Sequence, residues 1–225
     1  IMNDQRSEHH DVFFRVDVVP DVYQGVVTIT QSYGIGSLAA NSVLLGWLTK
    51  EERVQTYFKM LRDLSILEKS LLLVKYDENR RFGRRKNIHI WWGGLQANGG
   101  LMLLLAYLTI SYHRWSQAKV TLLTVVDSLE AKTQAEQRLS RLFQSARLDA
   151  SARVILREGQ SIRTLMSEHS GGSDLAILGL RLPTETDDLQ AVFEHYNHLL
   201  EGVPTTILVH SAGTFDASPV LFDDS

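Results

Sequence analysis

Two pairs of glycines are the first feature of this sequence whose position could bind a ligand. Gly93-Gly94 follows the apolar run at residues 88–92, and Gly99-Gly100 opens an apolar segment with helical character. A glycine-rich turn between a strand and a helix often binds phosphate, because its backbone N–H groups point at the anion. The spacing fits neither GxGxxG nor GxxxxGK[ST]. A tight turn followed by a helix start is therefore the favoured interpretation, and phosphate binding is the alternative.

A basic cluster forms the second candidate site. Five positive charges lie within seven residues, namely Arg80, Arg81, Arg84, Arg85 and Lys86. Such a cluster can contact the headgroups of anionic lipids or a nucleic acid. The simpler interpretation is a solvated loop between two domains.

The remaining residues with reactive side chains form weaker patterns. His195 and His198 are spaced i, i+3 beside Glu194, which can supply part of a metal site. Both histidines fall on the polar face of their predicted helix, so an exposed pair is favoured. Catalytic carboxylates in α/β enzymes lie at strand ends, and three aspartates are predicted there: Asp17, Asp127 and Asp174.

Nucleophilic catalysis has no support in these patterns. The chain has no Gly-x-Ser-x-Gly motif, no cysteine, and no serine, histidine and acid in a convincing arrangement. We therefore predict that the chain is no enzyme, and that it has no catalytic residue, metal site or bound cofactor.

The elements that would position these residues alternate between strands and helices. Short apolar runs predict strands at residues 13–19, 41–46, 71–76, 88–92, 119–126, 152–156, 174–180 and 205–209. Apolar residues at helical spacing predict helices at residues 50–66, 99–111, 132–146, 161–169 and 188–200, and a further segment that Asp21 caps. Strands that are apolar on both faces and joined by helices are typical of parallel sheets flanked by helices. The predicted fold class is α/β.

An internal repeat is visible in this alternation. Residues 42–46 and 72–74 match residues 175–179 and 207–209, with one helix between the two strands in each copy. Two similar subdomains are therefore expected. The predicted division is a short N-terminal α/β subdomain at residues 1–78, a basic interdomain loop at 79–87 and a C-terminal α/β subdomain at 88–225.

Composition argues against several classes of protein. The 225 residues carry 23 Lys and Arg against 26 Asp and Glu, a formal net charge of −3, so we predict no nucleic-acid partner. The absence of cysteine excludes disulfides and cysteine-based metal sites, and fits a reducing compartment. The longest apolar run, residues 101–108, is shorter than the about 18 residues that a membrane helix needs. The first residues do not resemble a signal peptide, and the composition predicts a soluble chain.

Segments between residues 34 and 209 resemble, in order, the cytosolic C-terminal domain of cation-chloride cotransporters. Residues 34–47 (GIGSLAANSVLLGW) are similar to the family's GLGxLxPNTLVLGF. Residues 88–92 (IHIWW) and 99–104 (GGLMLL) resemble its IDVWW and DGGLTLL. Four later segments resemble the family's W…CKIRVF, LLxEHS, ANIIVMSLP and LPPILLVRG: residues 115–120, 165–170, 174–180 and 203–209. This order is more specific than any single motif.

The resemblance implies a function and a setting. It implies two subdomains with the fold of universal stress proteins, in a non-catalytic cytoplasmic domain that regulates and dimerises an electroneutral cotransporter of chloride with Na+ and/or K+. It also implies a homodimer, a transmembrane domain in the same polypeptide, ion sites in that domain, and a location at the cytoplasmic face of the cell membrane. The basic cluster would then be a membrane-proximal contact with anionic lipid. Ala40 replaces the family's proline, and the segment after residue 129 is short, which suggests a prokaryotic relative.

A free-standing tandem universal-stress-type protein that binds a nucleotide or a small metabolite is the alternative. Nucleotide-binding members of that family carry Gly-x2-Gly-x9-Gly-(Ser/Thr) after the fourth strand, whereas Gly179 is followed by no glycine until Gly202. Backbone without those glycines cannot closely approach phosphates. This alternative predicts a pocket near residues 93–100 or after Gly179. A small α/β hydrolase or transferase is a third, weaker hypothesis.

Overall fold

The computed structural model describes residues 16–32, 34–35, 38–93, 96–145 and 148–213. Its helices are α1 (Val22–Ser32), α2 (Val54–Ile66), α3 (Gly99–Ser111), α4 (Leu129–Ser145), α5 (Ile162–Ser170) and α6 (Leu189–Leu199). Its strands are β1 (Gly34–Ile35), β2 (Leu38–Ala39), β3 (Ser42–Gly46), β4 (Ser70–Lys75), β5 (Asn87–Trp91), β6 (Lys119–Val126), β7 (Ala150–Leu156), β8 (Leu175–Gly179) and β9 (Thr206–His210). The predicted α/β class is confirmed.

One seven-stranded sheet organises the molecule, and β1 and β2 form a separate short hairpin. The strand order in the sheet is β3-β4-β9-β8-β5-β6-β7. Neighbouring strands are parallel except β4 and β9, which pair antiparallel. The periodicity of the sequence predicted only parallel pairing, and this one antiparallel join was missed.

The antiparallel join follows from the internal repeat. One copy of the repeat is β3–α2–β4 and the other is β8–α6–β9. Leu73 lies directly opposite Leu208 in the join, and the same two residues are equivalent when the repeats are aligned. A local two-fold axis therefore passes through this pair, and rotation about it reverses the strand direction. Strands from both sides of the loop at residues 79–87 belong to the same sheet. The division into subdomains at 1–78 and 88–225 stays a prediction.

Apolar layers cover both faces of the sheet. Residues of α1, α2, α5 and α6 pack on one face, with Phe58, Leu61 and Met166 fully buried there. Residues of α3 and α4 pack on the other face, over Ile88, Ile90 and other buried strand residues. Successive strand side chains point to opposite faces, so the apolar strands seen in the sequence serve both layers. No helix in the described part of the chain is both long enough and apolar enough to cross a bilayer.

Local capping explains why several helices start where the sequence predicts. The Asp21 carboxylate accepts a hydrogen bond from the backbone of Gln24 at 2.9 Å, before α1. The Asp188 carboxylate accepts one from the backbone of Gln190 at 2.9 Å, before α6. Side-chain oxygens at this position satisfy N–H groups that have no acceptor within the helix.

The strand predicted at residues 13–19 is wrong over its described part. Residues 16–19 belong to no strand, and the side chains of Val16 and Val18 are 74% and 99% exposed. An alternating apolar run forms a strand only where a neighbouring strand can pair with it, and the described residues place none beside this one. Residues 13–15 lie outside the described residues.

Candidate functional site

The two candidate sites lie at opposite ends of the sheet. Strands β5, β8 and β9 are parallel, so their carboxyl ends share one end of the sheet. Because β4 runs antiparallel to β9, the loop from β4 to β5 lies at the other end, beside the amino ends of β8 and β9. That loop holds the basic cluster, whereas the glycine-rich turn follows β5 at the carboxyl end. The two features therefore cannot form a single site.

The basic loop, residues 77–86, is built around a buried carboxylate. Asp174 immediately precedes β8 and is 8% exposed. Its Oδ1 accepts a hydrogen bond from the backbone of Arg84 at 2.8 Å, and its Oδ2 accepts from Lys86 and Asn87 at 2.7 and 2.9 Å. Gly83 has a φ of +46°, and a Cβ there would lie 2.0 Å from Asp174 Oδ1. Asp174 thus anchors the loop at the amino ends of the strands, away from the end where α/β enzymes place catalytic carboxylates.

Arg80 ties the same loop to the turns before β8 and β9. Its Nε donates to Asp77 Oδ2 at 2.6 Å, its Nη1 to the Gly171 carbonyl at 2.6 Å, and its Nη2 to the Gly202 carbonyl at 3.4 Å. The Asp77 carboxylate also accepts the backbone N–H groups of Arg80 and Asn79. Hydrogen bonds to the Arg80 backbone, then to its side chain, hold the pKa of Asp77 below its ordinary value. The Arg80 side chain, which is 42% exposed, is therefore paired with groups of the protein at its surface.

The other members of the basic cluster differ in exposure. Arg81, Arg84 and Lys86 are exposed and Arg85 is half-buried. The aromatic ring within the cluster, that of Phe82, packs edge to face against Trp115 with centroids 6.0 Å apart. A loop anchored through its backbone, rather than a loosely solvated one, presents these charges.

Asn98 fills part of the crevice at the carboxyl ends of the strands. This residue immediately precedes α3 and is 4% exposed. Its Oδ1 accepts a hydrogen bond from the backbone of Ser211 at 2.8 Å, and its Nδ2 donates to the Leu180 carbonyl at 3.2 Å. A Cβ on Gly179 would lie 3.2 Å from Asn98 Nδ2. The chain itself thus occupies the space beside the end of β8.

The glycine at the start of α3 is explained by packing. A Cβ on Gly99 would lie 2.4 Å from the ring of Trp92, so any larger residue would push the helix away from β5. This contact supports the interpretation of the segment as a tight turn with a helix start. Gly94 lies outside the described residues.

A pocket of about 310 Å³ opens beside this turn, between the ends of β5 and β6 and helix α4. Trp92, Gly93 and Thr124 line its strand side, and Gln134 and Arg138 line its helix side. This volume is at the lower end of the range for small-molecule sites, about 300–1,000 Å³. The pocket lies where the small-metabolite alternative predicts one.

A hydrogen-bonded pair of a buried serine and a half-buried histidine was missed in the sequence. His89 Nδ1 is 2.9 Å from Ser170 Oγ, and Trp91 Nε1 donates to the same oxygen at 2.9 Å. Burial, the largest cause, lowers the pKa of His89 to about 4. Ser170 is completely buried, so no substrate can reach its hydroxyl. The pair satisfies polar atoms inside the protein, and only the folded arrangement reveals it.

The other candidate residues of the sequence lie apart from these features. His195 and His198 are exposed on α6, and His198 Nδ1 is 3.7 Å from Glu201 Oε2. Among the described residues, no group of three or more histidine, aspartate or glutamate side chains could hold a metal ion. Asp127 lies at the end of β6, 3.8 Å from Arg157, with an 82% exposed side chain. The structure does not bring these residues together into a site.

Comparison with known proteins gives one family and two similar folds. Residues 73–164, from β4 into α5, match the model of solute carrier family 12. The crystal structure of the cytoplasmic domain of a prokaryotic cation chloride cotransporter is similar, with a TM-score of 0.70 and 18% identity, over 88% of this chain and 74% of that chain. A universal stress protein from Archaeoglobus fulgidus is also similar, with a TM-score of 0.55 and 8% identity, over 86% of this chain and 66% of that chain. These findings confirm the resemblance that the sequence motifs predicted.

Proposed function

We propose that this chain, which resembles the cytoplasmic domain of a cation-chloride cotransporter, is a non-catalytic regulatory and dimerisation domain of such a transporter. The observation that carries the proposal is the match of residues 73–164 to solute carrier family 12. That segment contains both the basic loop and the glycine-rich turn. In this proposal Cl− moves together with Na+ and/or K+, and the ions bind in a membrane domain of the same polypeptide.

The proposed mechanism is mechanical. A domain at the cytoplasmic face of the membrane can bias the transport cycle if its contacts differ between transport states. Such coupling needs a body that moves as a unit. The continuous sheet, with helices packed on both faces, supports that requirement.

The basic loop is the proposed membrane-proximal contact. Arg81, Arg84, Arg85 and Lys86 supply its accessible charge, while Arg80 holds the loop in place. Each Lys or Arg close to an anionic membrane surface contributes about 1 kcal/mol of attraction. Anchoring of the loop by Asp174 fixes the backbone that carries these charges, which lowers the ordering cost at the time of binding.

Neutralising the loop in the complete native protein tests this function. The triple variant Arg81→Gln, Arg84→Gln, Lys86→Gln is expected to change chloride-dependent rubidium uptake about fivefold or more, within the usual range of coupling energies. Binding of the 225-residue chain to phosphatidylserine vesicles is expected to weaken about 100-fold, because three charges are lost. Uptake in cells and vesicle co-sedimentation are the two measurements.

The matched control removes three exposed positive charges elsewhere, with Lys59→Gln, Arg157→Gln and Arg181→Gln. This variant has the same net charge as the loop variant and is expected to leave uptake and vesicle binding near the unmodified values. Equal losses in both variants would show that only net charge matters. Unchanged uptake and unchanged vesicle binding in the loop variant would refute the membrane contact, and an absence of chloride-dependent uptake by the unmodified protein would refute the transporter assignment.

A second candidate function is binding of a nucleotide or small metabolite, which the pocket beside Trp92 favours. A ligand at 100 times its Kd stabilises a protein by about 2.7 kcal/mol, which raises the Tm of a chain of this size by about 5 °C or more. We expect no such rise with millimolar ATP, because Asn98 fills the crevice and the phosphate-binding glycines are missing. A thermal-shift titration measures this. A rise in Tm with ATP that is lost in the Arg138→Gln variant would favour ligand binding in this pocket as the function.

A further inference from the structure

One position of the repeat is core in one copy and surface in the other. Aligning Gly46 with Gly179 makes Leu44 on β3 equivalent to Ile177 on β8. Ile177 is completely buried, because β5 pairs with its strand and α3 packs on the same side. Leu44 is 65% exposed, and within the described residues β3 pairs with β4 alone. Among the described residues, the first copy of the repeat thus leaves open a strand edge that β5 covers in the second copy.

The two outer strands of the sheet differ in their protection against further pairing. On β7, the exposed Arg153 places a charge where another strand would pair. On β3, the sequence Ser42-Val43-Leu44-Leu45-Gly46 contains no charged residue. An outer strand directs half of its backbone N–H and C=O groups away from the sheet, and an uncharged apolar edge is a template for strand addition.

We propose that β3 is the dimer interface and pairs antiparallel with β3 of a second copy of this chain. The two seven-stranded sheets then join into one, and a two-fold axis near Leu44 brings the two Leu44 side chains next to each other. This inference rests on the proposed dimerisation function and names the surface that carries it out.

A second copy fits this edge for two reasons. A two-fold interface needs a patch that is complementary to itself, and an apolar strand without charges meets that condition. The same sheet also already contains a join of this kind. There the equivalent strands β4 and β9 pair antiparallel, with the equivalent residues Leu73 and Leu208 opposite each other.

Single cysteines test the geometry, because the natural chain has none. Under mild oxidation Leu44→Cys is expected to form a covalent dimer, since residues opposite each other in an antiparallel pair lie about 4.5–5.5 Å apart, within disulfide range. With the axis at Leu44, residue 43 of one copy lies opposite residue 45 of the other, so Val43→Cys or Leu45→Cys alone places no two cysteines opposite each other. Each variant is therefore expected to cross-link at least about ten times more slowly than Leu44→Cys. Ala152→Cys, exposed on β7, is the matched control and is expected to stay monomeric.

A charge at the same position gives an independent measurement. Leu44→Lys is expected to raise the dimer dissociation constant at least about tenfold in analytical ultracentrifugation, because it gives β3 the protection that β7 has. Ala152→Lys is expected to leave it unchanged. If Leu44→Lys leaves the dimer dissociation constant unchanged and Leu44→Cys forms no cross-link, the chain dimerises through another surface and this interface is wrong. A chain that stays monomeric up to about 1 mM would contradict both the β3 interface and the proposed dimerisation function.

Discussion

Replacement of Asp174 by alanine is expected to lower the free energy of unfolding by about 3 kcal/mol. The carboxylate is buried and accepts backbone hydrogen bonds from Arg84, Lys86 and Asn87. A hydrogen bond to a charged group contributes about 1.5–3 kcal/mol, and water recovers part of three such bonds once the loop opens. Urea denaturation measures the change. Asp174→Asn keeps the shape and one carbonyl acceptor, so a loss of about 1–2 kcal/mol is expected.

The same variant separates loop structure from charge. Asp174→Ala makes the chain more positive, so a contact that depended only on net charge would bind phosphatidylserine vesicles more tightly. We expect weaker binding, because the backbone that carries the basic side chains is then no longer anchored. Tighter vesicle binding, or a stability loss below about 1 kcal/mol, would show that Asp174 does not organise the loop.

The sequence predicts most elements of this fold because their signals are local. Helix α3 and strand β6 have the bounds that periodicity predicts, residues 99–111 and 119–126. The direction of β4 relative to β9 has no such signal, since the run SLLLVK has the same pattern in parallel and antiparallel pairing. The information was present in the internal repeat, because two equivalent units that meet at equivalent strands can be related by a two-fold axis.

In the candidate sites, too, the residue types are visible in the sequence, whereas the contacts between residues far apart in the chain are not. The basic cluster is visible as charge, but its anchor is a carboxylate about 90 residues further along the chain. Asn98 joins backbone groups that lie 82 and 113 positions away. Its one signal in the sequence is a polar residue directly before a mostly apolar helix, and in the structure its side chain makes no cap hydrogen bond. Contacts of this kind depend on the assembled sheet, and no spacing rule predicts them.

Replacement of Trp47 by alanine is expected to lower the free energy of unfolding by about 4 kcal/mol, as for other large aromatic residues in cores. Trp47 follows β3 and is 6% exposed. Its ring stacks on Phe193 of α6 with centroids 5.9 Å apart, and its Nε1 donates to Asn197 Oδ1 at 2.8 Å. The side chain therefore joins the two copies of the repeat on one face of the sheet. Trp47→Phe keeps the apolar contact and loses the hydrogen bond, so a loss of about 1–2 kcal/mol is expected.

The shape of the unfolding transition of Trp47→Ala also tests the predicted division of the chain. If the sheet unfolds as one unit through the Leu73–Leu208 join, loss of Trp47 lowers the urea midpoint and leaves a single transition with an unchanged slope. If residues 1–78 and 88–225 are separate cooperative units, loss of Trp47 uncouples them and two transitions appear. We expect a single transition, because the antiparallel join adds a continuous strand pair beside the helix contact that the variant removes.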